Sequence, residues 1–340
     1  MHKHRHDRRY YLIRFLFIVI IAAVVVGVLL YLDYQDQAKY QETRGTMSEG
    51  FGDRATVSVQ GKQYYVRDGI FSTLLLGTDV TAESTSPDIY RSGGQADFLL
   101  LVVRDSTQKK VSLLQIDRNT MADVMTLSIL GKEAGTRKYQ VCLAHAFGKT
   151  RQDNCQYTVD AVERLLEGVT IDGYVSMDLK DIPAFNHAIG GVDVEIEDDF
   201  TAFDPAMYVG ASLHLTDDQA ALFTHSRMSV GDGTNTSRMR RHRAYMNGAI
   251  AQIRSLMASD AEYASSLLDS IYSILFTNLS KGRIINELNM IYSYDLGEIQ
   301  TPAGINIKGS NGLVEFHVDE DRLIEWILET YYEPIEERND

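Results

Sequence analysis

Cysteine is nearly absent. Cys142 and Cys155 are the only two, and no further Cys or His pair completes a metal-ligand spacing around them, which excludes a zinc framework. In a domain outside the membrane they could pair as a disulfide; the alternative reading is two small buried thiols. Proline is scarce, with five in 340 residues, and hydrophobic residues make up 44%. That composition excludes a long Pro-rich tract and supports a packed globule. Basic charge is in deficit. Lys and Arg number 33 against 47 Asp and Glu, a formal charge of −14. Without the basic first fourteen residues (Lys3, Arg5, Arg8, Arg9 and Arg14 against Asp7) the remainder carries −18. A broad basic surface is therefore missing, and with it the case for a nucleic-acid partner.

Long apolar runs are also lacking, with one exception. Phe15 to Leu32 is 18 residues without a charge, and residues 11–32 reach the roughly 20 that a bilayer needs. Tyr10, Tyr11, Tyr31 and Tyr34 flank the run as interfacial aromatics do. No small-residue cleavage pattern follows it, which argues against a secretory signal. Positive charge before it, and Asp33 and Asp36 after it, predict a single-pass membrane protein with residues 1–10 as a cytoplasmic tail. The stalk at 33–55 and the main domain then lie outside the membrane.

Beyond the stalk, alternation around Gln60-Gly61 predicts a hairpin near 56–67. STLLLGTD, ADFLLLVVRD and KKVSLLQIDRNT read as central strands covered on both faces. Residues 139–148, 156–168, 238–257 and 261–275 read as helices, as does LTDDQAALFTHSR with Thr216 as N-cap. Short strands are expected at GYVSMDL, VDVEIEDDF, GEIQT and VEFHV, and a last amphipathic helix at DEDRLIEWILETYY. Strands and helices alternate, so the expected class is α/β with one central sheet.

Two concentrations of charge suggest chemistry. The strip from His225 to Tyr245 holds Arg227, Arg238, Arg240, Arg241 and Arg243 against Asp232, a formal +4. A solvated helix face is one explanation of such a run. The other is a phosphate site, because the planar guanidinium binds phosphate oxygens in pairs. A helix start capped by Thr236 or Ser237 would add backbone N–H groups for an anion. Separately, Asp79 and Arg118 stand at strand C-termini and Asp97 opens the next strand. Ligands of open α/β sheets collect at such ends, and two carboxylates could hold Mg²⁺. Each Asp could equally be a turn residue.

Taken in order, the apolar span, LLLGTD, QADFLLLVV, VSLLQIDRNTM, AIGGVDVEIEDDF and LTDDQAALFTHSRMSVGDGTNTSRMRRHRAYM resemble the LytR-CpsA-Psr family of cell-wall proteins, over roughly residues 56–256. That resemblance implies a three-layer α/β/α sandwich, with residues 257–340 completing it or forming an accessory part. It implies an apolar pocket for a polyprenyl chain and an arginine-lined mouth for its pyrophosphate. The implied activity is a phosphotransferase moving a glycopolymer, such as teichoic acid or capsule, from an undecaprenyl-pyrophosphate carrier onto peptidoglycan. Alternatives are a non-catalytic polyprenyl-phosphate receptor or scaffold, and a polyprenyl-pyrophosphate hydrolase. By position, Asp79 and Asp97 match the family's metal aspartates, for Mg²⁺ or Mn²⁺. Arg118, Arg227, Arg238 and Arg241 match its arginines. Several positions depart from the pattern. His225 replaces one arginine, and His242 stands where Gln is usual. Arg91 and Gln95 are the nearest substitutes for an arginine missing before Asp97. Asn235 occupies the place of an acid, leaving Asp232 as the nearest candidate base.

Overall fold

The computed structural model describes residues 55–59, 61–79, 94–127 and 133–335. The expected cytoplasmic tail, membrane span, nearly all of the stalk, and Arg91 lie outside those residues. No helix among the described residues is long and apolar enough to cross a membrane.

The chain divides into two units. One comprises residues up to Val66 and from Glu333 onward. It contains the hairpin of β1 (Thr56–Val59) and β2 (Lys62–Val66), in register from Thr56 opposite Tyr65 to Val59 opposite Lys62. The other unit, Arg67–Tyr332, carries the central sheet and the helices.

Its elements are, in order, β3 (Ile70–Asp79), β4 (Gln95–Asp105), β5 (Lys110–Ile116), β6 (Met121–Leu127), β7 (Glu133–Gln140), a 3₁₀-helix (Val141–Ala146), α1 (Arg151–Leu165) and β8 (Gly173–Asp178). Next come α2 (Ile182–Ala188), β9 (Val192–Glu195), β10 (Ser212–Leu215), α3 (Asp217–His225), α4 (Asn235–Ser259) and α5 (Tyr263–Ile271). Then follow β11 (Leu275–Thr277), α6 (Lys281–Ser293), β12 (Asp295–Gln300), β13 (Gly304–Lys308), β14 (Val314–Val318) and α7 (Glu320–Tyr331); β15 (Tyr332–Pro334) falls mostly in the first unit.

The centre is a six-stranded mixed sheet in the order β11-β8-β3-β4-β5-β12. Its middle strands are the continuous apolar runs, with Leu74, Leu99, Leu101 and Val111 fully buried. Continuous burial needs cover on both faces. On one face Phe98, Leu100, Val102 and Leu113 pack against Met246 and Ile250 of α4 and Ile291 of α6. Beyond the other, the Val141–Ala146 helix packs against β4 and α1. Residues beyond 256 supply both edges of the sheet, β11 paired to β8 and β12 to β5.

Register matters most where β3 ends. Gly77 pairs with Phe98 but Thr78 with Ala96, which leaves Asp97 as the extra residue of a β-bulge. Bulges re-aim side chains and are common beside functional sites.

Several local expectations need correction. Residues 139–148 form only the Val141–Ala146 3₁₀-helix, because the chain enters from β7, a strand not anticipated. α1 starts at Arg151 instead of 156. Thr150 and Asp153 form a capping box whose side chains and backbone N–H groups satisfy each other. The helix expected over 261–275 ends at Ile271 and the chain turns into β11. α4 is capped by Thr234, not Thr236 or Ser237; its hydroxyl accepts from the Ser237 N–H. The two thiols are buried and unpaired, so no disulfide joins them.

Candidate active site

The turn after β5 presents Arg118. Asp117 accepts from the Asn119 N–H at 2.7 Å and its carbonyl from the Thr120 N–H at 2.9 Å, an Asx-type turn. The Arg118 and Asn119 carbonyls accept from the Cys142 and Phe316 N–H groups. The backbone beneath Arg118 is therefore held on both sides.

Opposite stands the first turn of α4. Asn235 links the two elements, donating to Asp117 at 2.8 Å and accepting from Arg238 at 3.0 Å. Arg118 and Arg238 converge on the two oxygens of Asp97, Arg238 at 2.7 Å, while Arg118 also donates to Gln95 and to the Cys142 sulfur. Asp97 is 7% exposed, so one carboxylate faces two guanidiniums and balances the charge of only one, in a place poor in water. Burial lowers the Arg238 pKa from its usual value; Asp97 opposes that, while neighbouring Arg118 and Arg227 add to it. Burial also raises the pKa of Asp117 and of the Cys142 thiol.

Arg227 is half-buried and pairs with no carboxylate among the described residues; its Nε is buried without a hydrogen-bond partner there. Arg118 and Arg238 thus share Asp97, and Arg227 adds its charge beside Arg238. With Asp117 the only other carboxylate acting on this pair among the described residues, an excess of positive charge is left for an anion. The two phosphate groups of a diphosphate would satisfy that excess.

Arg241 does not belong to this group. It is 2% exposed. Its Nε donates to the Phe223 carbonyl at 3.0 Å, Nη1 to Asp198 and Ser237, and Nη2 to the Ser226 carbonyl. Its charge is spent on holding the end of α3 against α4, which positions Arg227 one residue beyond Ser226. Arg240 likewise pairs with Glu197 and, at 2.8 Å, with Asp198. Much of the cationic strip is therefore matched by fixed acids. Asp198, which receives Arg240, Arg241 and Ser237, was not singled out by sequence reasoning. Gly231 lies at φ +60°, and a Cβ there would meet the Asp198 carboxylate at 2.8 Å.

Asp232 is exposed and makes a poor base. Its carboxylate accepts from the Thr234 hydroxyl at 2.6 Å and the Thr234 N–H at 2.9 Å, which lower its pKa. His242 is buried, 4% exposed. Its Nε2 donates to the Thr224 carbonyl at 2.9 Å, so the neutral tautomer carries its proton there; Nδ1 finds no partner among the described residues. Burial above all, with Arg238 nearby, pulls its pKa down to about 3. It lines a cavity of about 150 Å³ together with Leu75, Phe98, Met177, Phe185 and Tyr245, an almost wholly apolar wall. Neutral His242 is an apolar neighbour there and offers no charge to a phosphate.

Asp79 ends β3 exposed, and its carboxylate bonds to nothing among the described residues. It and Gln95 line a second cavity of about 370 Å³ whose walls mix polar and apolar groups. The donor chemistry suits Mg²⁺. Each Asp97 oxygen accepts one guanidinium and keeps a further lone pair, and Mg²⁺ in phosphate sites takes one or two carboxylates, waters and substrate oxygens. No group of three His, Cys, Asp or Glu able to hold a metal occurs among the described residues.

The family model described as the LytR_cpsA_psr family matches residues 30–325. A Bacillus mycoides protein named polyisoprenyl-teichoic acid–peptidoglycan teichoic acid transferase TagU is 27% identical over 251 residues, 73% of each chain. A Bacillus anthracis protein of the same name is 27% identical over 63% of this chain and 62% of its own length. Among solved structures, Streptococcus agalactiae gbs0355 superposes with a TM-score of 0.62 at 19% identity, covering 77% of this chain and 87% of that one. Bacillus subtilis TagV does so with a TM-score of 0.59 at 20% identity, covering 78% and 98%. These structural likenesses establish the fold.

Proposed function

The chain belongs to the LytR_cpsA_psr family, and from that premise we propose that it is a membrane-anchored phosphotransferase. It moves a glycopolymer from an undecaprenyl-pyrophosphate carrier to peptidoglycan on the outer side of the membrane. The observation that carries this reading is the convergence of Arg118 and Arg238 on Asp97, with Arg227 beside them, next to an apolar cavity. A lipid diphosphate needs both halves of that arrangement: hydrocarbon walls for the chain and fixed cations for the phosphates.

Arg118, Arg238 and Arg227 bind the phosphate oxygens and spread the charge that builds during transfer. Phosphoryl transfer depends mainly on such positioning and electrostatic stabilisation. An acceptor hydroxyl oxygen bonds to the phosphorus nearer the glycopolymer. The bridging P–O bond breaks with its electron pair on polyprenyl phosphate, and the hydroxyl proton passes to solvent. Mg²⁺ or Mn²⁺ held by Asp79 and Asp97 would add positive charge to the same oxygens. The three-layer α/β/α arrangement and the span at 11–32 complete the reading, because a lipid carrier never leaves the bilayer.

The test uses the full chain in detergent, a radiolabelled polyprenyl-pyrophosphate oligosaccharide and peptidoglycan. Label should enter the glycan, and Arg118→Ala and Asp79→Ala should abolish its entry. Lipid binding with neither transfer nor hydrolysis would replace this reading with a receptor; label released to water would make the protein a hydrolase.

A further inference from the structure

The second cavity, bordered by Gln95, has a wall that phosphate chemistry does not use. Tyr139, at the end of β7, and Phe147, just past the 3₁₀-helix, face each other with ring centroids 6.1 Å apart and planes inclined at 34°. Both line the cavity, with Leu143 between them. Tyr139 is the single aromatic of β7, a strand otherwise polar and exposed, and is itself 36% exposed. Its hydroxyl makes no hydrogen bond among the described residues. An aromatic pair opened toward a cavity contributes little to a core; it offers a flat apolar shelf with a polar tip.

The neighbouring wall supplies hydrogen bonds. Gln95 gives its side-chain oxygen to Arg118, which leaves the two N–H groups of its amide for something else. An apolar face bordered by amide and phenol groups matches one ligand chemistry well. A pyranose ring presents C–H groups on its face and hydroxyls around its edge. Because Gln95 touches Arg118, a ring held there stands one side chain away from the phosphate site. The apolar cavity, by contrast, includes Phe98, on the sheet face that α4 covers.

We propose that the cavity between Gln95 and the Tyr139–Phe147 shelf is a sugar subsite, where a pyranose ring stacks on Tyr139 and its hydroxyls bond to the Gln95 amide and the Tyr139 hydroxyl. The inference rests on the transferase reading and deepens it. The first ring of the carrier's glycan and a ring of the acceptor strand share this chemistry, and the experiment separates them.

Binding is measured on the full chain in detergent for wild type, Tyr139→Ala and Tyr139→Phe. The probes are a soluble, peptide-free peptidoglycan glycan strand, a polyprenyl-pyrophosphate disaccharide, and sugar-free polyprenyl phosphate. Tyr139→Ala should weaken at least one sugar-bearing probe about tenfold, the upper range of one aromatic contact. Tyr139→Phe should retain most of the affinity, and polyprenyl phosphate should bind all three proteins alike. Loss on the strand alone assigns the subsite to the acceptor, and loss on the disaccharide carrier alone to the donor. Unchanged affinity for both sugars, or an equal loss for polyprenyl phosphate, overturns the proposal. No arm requires transfer, so a protein that binds sugar without transferring it would sink the transferase reading and leave the subsite standing.

Discussion

His242 makes the fold sensitive to acid in a calculable way. Unfolded, its imidazole titrates near 6.5; folded, burial and the nearby Arg238 charge bring it to about 3. Because the folded value is the lower one, the unfolded chain binds the proton first. The stabilising effect is fully present above pH 6.5 and is lost as pH falls toward 3. Each pH unit in that window costs about 1.4 kcal/mol, so moving from pH 7.5 to 5 removes roughly 2 kcal/mol. Urea unfolding at both pH values would measure it, with His242→Gln as the reference. A glutamine amide can still donate to the Thr224 carbonyl but does not titrate. Wild type should lose roughly 2 kcal/mol more than the variant on acidification, because contributions from all other groups cancel in the difference. Equal losses would mean that the imidazole is hydrated or charged in the folded protein, and the dry apolar cavity described around it would be wrong.

Three further outcomes follow from the same side chains. Asp97→Asn removes the shared anion from Arg118 and Arg238 and should cost about 3–5 kcal/mol, read as a lowered unfolding midpoint, besides abolishing transfer. Asp232→Asn should leave transfer and its pH profile close to wild type, because the carboxylate only ties a turn to Thr234; a collapse in rate would restore it as the base. Arg241→Lys keeps the charge but loses the planar fork that reaches the Phe223 and Ser226 carbonyls. It should destabilise by about 2–3 kcal/mol in thermal melts.

The parts of this fold that could be read from residues alone were those whose signal is local. β3, β4 and β5 announce themselves as unbroken apolar runs, and the N-cap Thr216 of α3 by its T-x-x-Q spacing. β6 and β7 were missed for opposite reasons. MADVMTL does alternate, inward at Ala122, Val124 and Thr126, but follows a turn at once. EAGTRKYQ is polar and almost wholly exposed, so only its pairing with β6 makes it a strand. At the site, residue type was legible and pairing was not. The arginines of α4 are close neighbours in sequence, yet Arg238 meets Asp97 across 141 positions and Arg241 meets Asp198 across 43. Which guanidiniums are spent on structure and which remain for a ligand is decided by those distant acids. His242 stands where the resembled family usually has Gln, next to arginines that match its pattern; the helix turn that carries it points it into hydrocarbon.

The placement of β11 and β12 has a consequence for how the chain is made. The three most apolar strands are complete by residue 116, but their sheet receives its last two members only at residues 275–277 and 295–300. Until then β8 and β5 each have an unpaired edge, the kind of surface that recruits strands from other chains. Pairings so distant in sequence also form slowly. During synthesis the most aggregation-prone strands therefore wait the longest for protection, and a chain cut short at residue 256 would keep every arginine of the site and still lack both borders of its sheet.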